Sequence, residues 1–195
     1  MMKPSANING VILSGGKSSR MGQTKAWIIL GEKTMLEHVV DAMKQVTNEI
    51  FISANEKEFE KTGYKVIYDE VKGAGPLGGI CSVLNQTQAQ KLLVLSCDVP
   101  FISVEFLRYL IQNSKPGFNT VPVYMGKLEP LIAIYDKSNL QVMADCLNKG
   151  IYKLQDILKK CKTQLLLVPH DKYSFHIFDN INTPFDLSKV EQKAS

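Results

Sequence analysis

Residues 13–25, LSGGKSSRMGQTK, are the first segment whose residue types and spacing could do chemistry. Gly15 and Gly16 let the main chain approach a ligand closely and expose N–H donors, as phosphate or nucleotide binding requires. Arg20 and Lys25 add two cations that suit phosphate oxygens gaining negative charge during transfer. The spacing fits neither the GxxxxGK(S/T) phosphate loop nor the GxGxxG dinucleotide fingerprint, which disfavours an ATPase or a dehydrogenase of those types. A surface turn rich in glycine, serine and lysine is the alternative interpretation.

The segment SCDVPF, residues 96–101, closes the most apolar run of the chain, residues 91–96. Ligands of open α/β sheets collect at the carboxyl ends of strands, so Asp98 lies where chemistry is expected. A carboxylate there suits Mg²⁺, which takes one or two carboxylates together with substrate phosphates. Asp69 ends a predicted strand over residues 64–68 and is a candidate second acidic contact. The alternative for both residues is a helix cap or a turn, where aspartate is also common.

A second glycine cluster, GAGPLGGI, occupies residues 73–80 and has four glycines in eight positions. Such a density implies close approach of the main chain, either by a ligand or by packing within the protein. The sequence leaves both interpretations open. If a ligand is what approaches the main chain, the cluster's position between two strand ends places it beside the other two segments.

These segments need a scaffold, and the sequence predicts one. Short apolar runs alternate with segments of helical period, which is typical of a parallel sheet covered by helices. Thr34 and Glu37 have the spacing of a capping box, and an apolar face of helical spacing follows them. That face comprises Met35, Leu36, Val39, Val40, Met43 and Val46. The predicted strands of this half are 10–13, 49–54, 64–68 and 91–96, with a polar helical link over 56–62 and a helix from the second glycine cluster to about residue 88.

After Asp98 the alternation loosens, although further elements are still predicted. Predicted strands over 120–125 and 128–135 are joined through Gly126 and Lys127, and a strand pair with so tight a connection is antiparallel. The sheet is therefore expected to be mixed at this edge. The other predicted elements are helices over 104–113, 138–148, 152–161 and 183–192, with Gly150 as a helix stop and Pro184 in a first turn, and a strand over 164–168. No repeat, low-complexity segment or linker is found, so one domain over residues 1–195 is the economical prediction.

Composition excludes several classes of protein. The chain of 195 residues is 45% hydrophobic and 22% charged, and its net charge of +4 is too small to indicate a nucleic-acid binder. Its apolar runs are far shorter than a membrane span, and its first residues lack the apolar core of a secretory signal, so we expect a cytoplasmic protein with no membrane partner. The four cysteines form no CxxC pair and are expected to be reduced, mostly buried thiols.

The three segments and their order resemble the molybdenum cofactor guanylyltransferase family. That family opens with a pattern close to LAGGxSxRMGxxK, continues with GPLAGI and has an SCDxPF strand end; LSGGKSSRMGQTK, GPLGGI and SCDVPF stand in the same order here. FDNINTPFDL, residues 178–187, is similar to the family's NINTPxDL tail, so the resemblance covers nearly the whole chain. Ser14 and Gly78 replace the alanines of the family pattern. Related sugar-nucleotide and isoprenoid-precursor transferases carry LAAG and a proline before the lysine, whereas Thr24 precedes the lysine here.

The resemblance implies a role for individual residues. The implied nucleotide contacts are Leu13, Ser14, Gly15, Asn55 and Asp69. Lys25 and Arg20 would hold the phosphates and Asp98 would bind Mg²⁺, so these three would carry the catalysis. Asn180 and Asn182 would lie near the pterin of the second substrate.

The resemblance also implies a fold and a reaction. The fold is a three-layer α/β, Rossmann-like nucleotidyltransferase domain with a mostly parallel central sheet, an antiparallel edge and helices on both faces. Its N-terminal half would bind the nucleotide, and its C-terminal half would form the molybdopterin side. The implied reaction transfers GMP from GTP to the terminal phosphate of molybdopterin, with or without bound molybdenum, and releases pyrophosphate. Other cofactor-biosynthesis proteins and molybdoenzyme chaperones are the implied protein partners.

Two alternatives to this function remain open at the level of sequence. A sister enzyme would use CTP and make the cytosine dinucleotide cofactor, although Gly16 favours guanine because the cytidylyl relatives tend to read LAAG. A non-catalytic nucleotide-binding or cofactor-carrier module would keep the fold without turnover. Such a module is expected to have lost Lys25 or Asp98, and both are present.

Overall fold

A mixed β-sheet forms the centre of the computed structural model, which describes residues 8–15, 24–169, 171–173, 175–182 and 186. Eight strands of the described residues belong to this sheet, and two further strands pair with each other outside it. In chain order the strands are β1 (Ile8–Leu13), β2 (Ile29–Leu30), β3 (Lys33–Thr34), β4 (Ile50–Ser53), β5 (Lys65–Ile67), β6 (Lys91–Ser96), β7 (Asn119–Tyr124), β8 (Lys127–Leu128), β9 (Ile132–Asp136) and β10 (Thr163–Leu167).

The N-terminal half of the sheet is parallel, as predicted. Strand β1 lies between β4 and β6 and runs parallel to both, and β5 extends the sheet beyond β4. The register sets Leu13 beside Ser53 on one side and Ser96 on the other. The carboxyl ends of β1, β4 and β6 therefore meet at one edge of the sheet, which is where ligands of such sheets bind.

The C-terminal half makes the sheet mixed, which confirms the second prediction. Strand β9 lies between β6 and β7 and is antiparallel to both, while β10 lies beyond β7 and is parallel to it. Strands β7 and β10 consequently run in the same direction as β1. Their carboxyl ends face the same edge of the sheet as Asp98, and the first residues of β9 reach that edge from the opposite direction.

The prediction of one strand over residues 128–135 is wrong. Strand β8 forms a hairpin with β7, and residues 129–131 interrupt the extended conformation before β9 begins at Ile132. Pro122 in the middle of β7 has no N–H to donate, so the ladder between β7 and β9 is interrupted there. The Pro122 carbonyl instead accepts a hydrogen bond from the Glu129 N–H at 3.0 Å. The break brings Leu131 to the edge of the sheet where the strands beside it end.

Helices cover both faces of the sheet. Those described are α1 (Met35–Met43), α2 (Pro76–Gln86), α3 (Val104–Gln112), α4 (Leu140–Asn148) and α5 (Leu154–Leu158). The first and third pack on one face, and the other three pack on the opposite face, which gives the predicted three layers. The predicted capping box begins α1: the Glu37 N–H donates to Thr34 Oγ1 at 3.2 Å, and the Thr34 N–H donates to Glu37 Oε2 at 2.7 Å.

Several element ends differ from the predictions, and some predictions lie outside the described residues. The link between β4 and β5 is a 3₁₀ helix over Lys57–Thr62, and α5 is shorter than predicted. Gly150 ends α4 with a φ of 71°, as expected of a residue in the left-handed region after a helix. The predicted helix over 183–192 lies almost wholly outside the described residues. In the part of the chain that the structure describes, no helix has the length and apolarity to cross a membrane.

Candidate active site at the carboxyl edge of the sheet

A pocket of about 340 Å³ opens where β1, β4 and β6 end. Five of the residues predicted for the site line it, from four different strands and the segments that follow them. They are Leu13, Gly15, Asn55, Asp69 and Asp98. The other lining residues are Ser53, Gly73, Gly75, Pro76, Gly79, Ser96 and Leu131. The sheet thus brings together all three of the segments that the sequence singled out.

Main-chain hydrogen bonds continue past the strand ends and fix the floor of this pocket. The Ser14 N–H donates to the Ser53 carbonyl at 2.9 Å, and the Cys97 N–H donates to the Leu13 carbonyl at 3.1 Å. Gly15 follows directly and is exposed. Among the described residues, a Cβ added at Gly15 would meet only Ala54 Cα, at 3.9 Å, so none of these residues crowds its main chain. Arg20 is one of residues 16–23, which lie outside the described residues, and its role stays a prediction.

Lys25 and Asp98 form the charged part of the site. Lys25 Nζ lies 3.7 Å from Asp98 Oδ2, and both side chains are largely buried. Lys25 Nζ also donates a short hydrogen bond to Asn182 Oδ1. The other carboxylate oxygen of Asp98, Oδ1, is buried and accepts no hydrogen bond from any described residue. An anionic oxygen buried without a partner carries a cost in free energy that a bound cation or donor would remove.

Contacts of residues 24–27 hold Lys25 in place. Lys25 begins a 3₁₀ helix that ends at Trp27, and the Trp27 ring stacks on Phe59 with centroids 5.1 Å apart. Thr24 Oγ1 donates to Glu58 Oε1 at 3.0 Å. Both contacts join this segment to the 3₁₀ helix between β4 and β5. The lysine is therefore positioned by packing and is not a freely moving surface cation.

Asp69 forms a second polar group on the opposite wall, together with Asn55 and Ser53. Asn55 Nδ2 donates to Asp69 Oδ2 at 3.2 Å, and the Asp69 N–H donates to Asn55 Oδ1 at 3.2 Å. Ser53 Oγ donates to Asp69 Oδ1 at 3.3 Å. Burial raises the pKa of Asp69 above its ordinary value, and the two side-chain hydrogen bonds oppose that shift. The carboxylate is oriented on both oxygens and still has lone pairs for a ligand's N–H groups.

The second glycine cluster serves both purposes that the sequence left open. Gly73 and Gly75 line the pocket with φ angles of 78° and 60°, a region that side chains disfavour. Gly79, one turn into α2, packs against β4: an added Cβ would stand 2.2 Å from Ser53 Oγ. The loop glycines shape the pocket, and the helix glycine lets α2 approach the strand. Helix α2 begins at Pro76 on the pocket wall, so the positive end of its dipole favours an anion there.

The C-terminal segment closes the site from the side of Asp98. The Ile181 N–H donates to the Asp98 carbonyl at 2.9 Å, and the Ile181 side chain is buried. This anchor places Asn182 against Lys25. Asn180 is exposed, and its side chain makes no hydrogen bond with any described residue.

The donor set at Asp98 suits one type of metal site. No group of three or more His, Cys, Asp and Glu side chains that could hold a metal occurs among the described residues. A single carboxylate with a free buried oxygen fits Mg²⁺, which takes most of its ligands from water and substrate phosphates.

Cys97 is not a rival ligand or nucleophile, because burial raises its pKa to about 12. All four cysteines are free, three are buried and Cys161 is half-buried, as predicted.

The sequence of this chain is similar to a known protein family and to named relatives. The family model of the MobA-like NTP transferase domain matches residues 10–165. The chain belongs to the MobA-like NTP transferase family. A probable molybdenum cofactor guanylyltransferase of Carboxydothermus hydrogenoformans is 35% identical over 187 residues, which cover 94% of this chain and 95% of that protein. A probable molybdenum cofactor guanylyltransferase of Flavobacterium johnsoniae is 35% identical over 180 residues, which cover 92% of this chain and 94% of that protein.

A solved structure shares the fold of this MobA-like chain. It is the molybdopterin-guanine dinucleotide biosynthesis protein A of Archaeoglobus fulgidus, with a TM-score of 0.81 and 24% sequence identity. The match covers 95% of this chain and 98% of that one. The mostly parallel sheet with its antiparallel strand and its two helical layers is therefore the nucleotidyltransferase fold, as the sequence predicted.

The MobA-like site also contains residues that sequence reasoning missed. Ser53 orients Asp69, and its only signal was its position near the end of the predicted strand 49–54. Leu131 reaches the pocket because the predicted strand 128–135 is broken, and Pro130 was the local signal of that break, since a proline inside a run of strand residues disfavours a continuous strand. Glu58, which holds Thr24, lies in a polar link to which no function was given.

Proposed function

We propose that this chain is a molybdenum cofactor guanylyltransferase that transfers GMP from GTP to the terminal phosphate of molybdopterin and releases pyrophosphate. One observation carries the proposal: Asp98 lines the same pocket as Gly15, has a buried oxygen that no described residue contacts by a hydrogen bond, and lies beside Lys25. The family membership and the names of relatives matching over nearly their whole length support the same reaction.

The wall formed by Asp69 and Asn55 favours guanine as the base. Guanine presents two neighbouring N–H donor groups on one edge, and a carboxylate accepts such a pair with both oxygens. Cytosine offers a single amino donor on the equivalent edge, next to acceptor atoms. The hydrogen bonds from Ser53 and Asn55 hold the Asp69 carboxylate in a fixed orientation before the base arrives. Pre-orientation lowers the entropy that binding costs.

The phosphates fit the opposite side of the pocket. The main chain at Gly15 and the N-terminus of α2 supply partial positive charge, and Lys25 supplies a full charge. The Lys25 ammonium, held by Asn182 and near Asp98, neutralises charge that builds on the phosphates during transfer. We assign the same task to Arg20, which lies outside the described residues.

Asp98 would hold Mg²⁺ through its carboxylate, with the remaining ligands from phosphate oxygens and water. The ion would polarise the phosphate oxygens and neutralise their charge when bound. Asp98 is fixed for this task from two directions, since its carbonyl accepts the Ile181 N–H and its Oδ2 lies near Lys25.

The transfer needs no general base from the chain. An oxygen of the acceptor's terminal phosphate is already anionic; it forms a bond to the α-phosphorus as the bond to the bridging oxygen breaks, and pyrophosphate leaves with that electron pair. Catalysis then consists of aligning two anions and neutralising their charge. His38, a residue of α1, binds the Leu30 carbonyl through Nε2 at 2.8 Å.

We place the acceptor on the side of Asn182 and Asn180, beyond Asp98. Asn182 contacts Lys25, so a phosphate that reaches this lysine also reaches the asparagine. The C-terminal half of the sheet, which ends at the same edge, would complete the molybdopterin side. The reaction would take place in the cytoplasm, where GTP is available.

Pyrophosphate release tests the proposed function. The purified chain with Mg²⁺ and GTP is expected to release pyrophosphate only when molybdopterin is added. Lys25→Ala should weaken GTP binding and slow release, whereas Lys33→Ala, which removes a surface lysine paired with Asp41, should change neither. Unchanged kinetics of Lys25→Ala would remove this residue from the site, and absence of release from the wild-type chain would contradict the proposal.

A further inference from the structure

Strands β8 and β9 both pair with β7, and a bulge separates them. Val123 of β7 pairs with Leu128 of β8, and Thr120 of β7 pairs with Ile134 of β9. Three steps along β7 thus correspond to six steps along the opposite segment, which leaves residues 129–131 as a bulge of three extra residues. Bulges are frequent next to active sites, where they redirect a side chain.

Hydrogen bonds fix the main chain of the bulge. The Glu129 N–H donates to the Pro122 carbonyl at 3.0 Å, but Pro122 has no N–H to donate in return. The Glu129 carbonyl accepts instead from the Ile132 N–H at 3.1 Å, which closes a tight turn. The Pro130 carbonyl accepts from the hydroxyl of the buried Tyr135 at 2.9 Å. The bulge is therefore a rigid part of the sheet.

The bulge lies beside the strand that ends before Asp98. The N–H of Ser96, the last residue of β6, donates to the Leu131 carbonyl at 3.0 Å, and Leu131 lines the same pocket as Asp98. Across the sheet the strands follow one another in the order β9, β6, β1, β4 and β5. Glu129, which precedes β9, and Asp69, which follows β5, are thus on opposite sides of the strand that presents Asp98.

The carboxylate of Glu129 has no partner in the described part of the chain. The side chain is half-buried and makes no hydrogen bond or ion pair with any described residue. Burial raises the pKa of Glu129, and the charge of Lys127 opposes that shift. A carboxylate that loses water without gaining a donor costs free energy. Donor groups of a ligand would remove this cost.

We propose that Glu129 binds the pterin ring of the acceptor by accepting two neighbouring N–H donor groups of its pyrimidine ring. This inference rests on the proposed guanylyl transfer, whose acceptor contains a pterin. The pyrimidine ring of a pterin carries the same pair of adjacent donors as guanine, and a carboxylate accepts such a pair with both oxygens.

The order of the strands explains why Glu129 serves the acceptor and not the nucleotide. With the phosphates at Lys25 and Asp98, the base of GTP extends toward Asp69, on the side of β4 and β5. The acceptor extends the other way, toward β9 and the bulge. The site then has one carboxylate at each end, for guanine and for the pterin, and the phosphates lie between them.

Kinetics measured separately for the two substrates test this role. Glu129→Gln keeps the length of the side chain but offers a single acceptor oxygen. KM for molybdopterin should therefore rise by about tenfold, while kcat and KM for GTP stay within about twofold of wild type. The control, Glu32→Gln, changes an exposed glutamate between β2 and β3 and should alter none of these values. An unchanged KM for molybdopterin in Glu129→Gln, or an equal rise in both KM values, would overturn the proposal.

Binding of free pterin distinguishes this proposal from the proposed function, because it needs no turnover. The probes are pterin and lumazine, in which an oxygen replaces the 2-amino group and the adjacent pair of donors is missing. Equilibrium dialysis is done with Mg²⁺ and a saturating GTP analogue that cannot be cleaved after the α-phosphate, so that the wall at Asp69 is occupied. The wild-type chain should bind pterin more tightly than lumazine, and Glu129→Gln should bind both equally.

The outcomes of the two experiments separate the two proposals. Equal binding of pterin and lumazine by the wild-type chain would contradict the role of Glu129, even if the chain releases pyrophosphate with molybdopterin. A preference for pterin that is lost in Glu129→Gln, in a chain that releases no pyrophosphate, would support the pterin contact and contradict the transfer. Circular dichroism checks that each variant folds.

Discussion

At the scale of single residues, two aspartates at one sheet edge are fitted to different tasks by their surroundings. Asp98 has a buried oxygen that accepts no hydrogen bond from the residues the structure describes and a lysine near its other oxygen, an arrangement suited to a cation. Asp69 has hydrogen bonds on both oxygens and a raised pKa caused by burial, an arrangement suited to accepting N–H groups. The sequence named both residues from their strand-end positions alone and could not assign these surroundings, because Ser53 and Asn55 reach Asp69 only in the folded sheet.

Replacement of Asp98 tests the metal assignment. Asp98→Asn keeps the size of the side chain but removes its charge, so Mg²⁺ and the phosphates lose their anchor. We expect the transfer rate to fall by about a hundredfold or more, comparable to the loss of one electrostatic group in other active sites. The control, Asp145→Asn, changes an exposed aspartate of α4 and should leave the rate unchanged. A rate for Asp98→Asn close to wild type would contradict the assignment.

Replacement of Asp69 tests base recognition through its pH dependence. The raised pKa means that this carboxyl takes up a proton at a higher pH than an ordinary aspartate, so kcat/KM for GTP should fall as the pH is lowered through that range. Asp69→Asn should lower kcat/KM for GTP at neutral pH by about tenfold to a hundredfold. It should also remove the fall of kcat/KM at low pH, because the variant has no carboxyl at this position to take up a proton.

The same variant separates binding from folding. A carboxyl with a raised pKa in the folded state binds its proton more tightly there than in the unfolded chain, so its ionisation at neutral pH costs stability. Asp69→Asn should therefore keep or raise the free energy of unfolding at neutral pH, measured by urea denaturation. A large loss of stability would show that the carboxylate has a structural role.

At the scale of elements, helix α2 connects the fold to the site. Its first residues form the pocket wall, and Gly79 allows the helix to lie close to Ser53 and Asp69. A Cβ at Gly79 would also come within 3.2 Å of Asp69 Oδ1, so the spacing between helix and strand sets the position of the carboxylate. Sequence reasoning could not choose between ligand approach and packing for this cluster, because the choice depends on which strand lies behind the helix.

Two neighbouring glycines provide a matched test of this spacing. Gly79→Ala should lower the free energy of unfolding by about 1–3 kcal/mol, because the new methyl group overlaps Ser53 Oγ, and it should raise KM for GTP by displacing Asp69. Gly78→Ala adds the same methyl group 3.1 Å from Ala74 Cβ, 3.2 Å from the Val71 carbonyl oxygen and 3.7 Å from Asp69 Cγ. None of these distances is as short as the overlap with Ser53 Oγ, so this variant should have a smaller effect on both quantities. Thermal denaturation and GTP kinetics measure the two quantities. Equal effects of both variants would contradict the special role of Gly79.

Local patterns predicted the elements whose determinants are local. The capping box of Thr34 and Glu37 set the start of α1, and the apolar run of β6 marked a strand buried on both faces. The break at residues 129–131 had a local signal that the prediction of one strand overlooked, because Pro130 has no N–H to donate within a strand. A second determinant is not local: Pro122 removes a hydrogen bond from the adjacent strand, and only the pairing of β7 with β9 reveals it.

At the scale of the whole molecule, the arrangement of charge is more informative than its sum. The net charge of +4 named no partner, whereas the fold sets Lys25 beside Asp98 and keeps Asp69 on another wall of the pocket. The two halves of the chain meet at this edge: β1, β4 and β6 supply the proposed nucleotide side, and the C-terminal segment anchored at Ile181 supplies Asn182. This division agrees with transfer between two phosphorylated substrates.

A competition between nucleotides tests the proposed guanylyl transfer most directly. The wild-type chain is mixed with Mg²⁺, molybdopterin and equal concentrations of GTP and CTP, and the dinucleotide product is identified by mass spectrometry while pyrophosphate is measured. Guanylyl transfer predicts the guanine dinucleotide, with one pyrophosphate released for each product. Formation of the cytosine dinucleotide, or binding of GTP without any release of pyrophosphate, would contradict it.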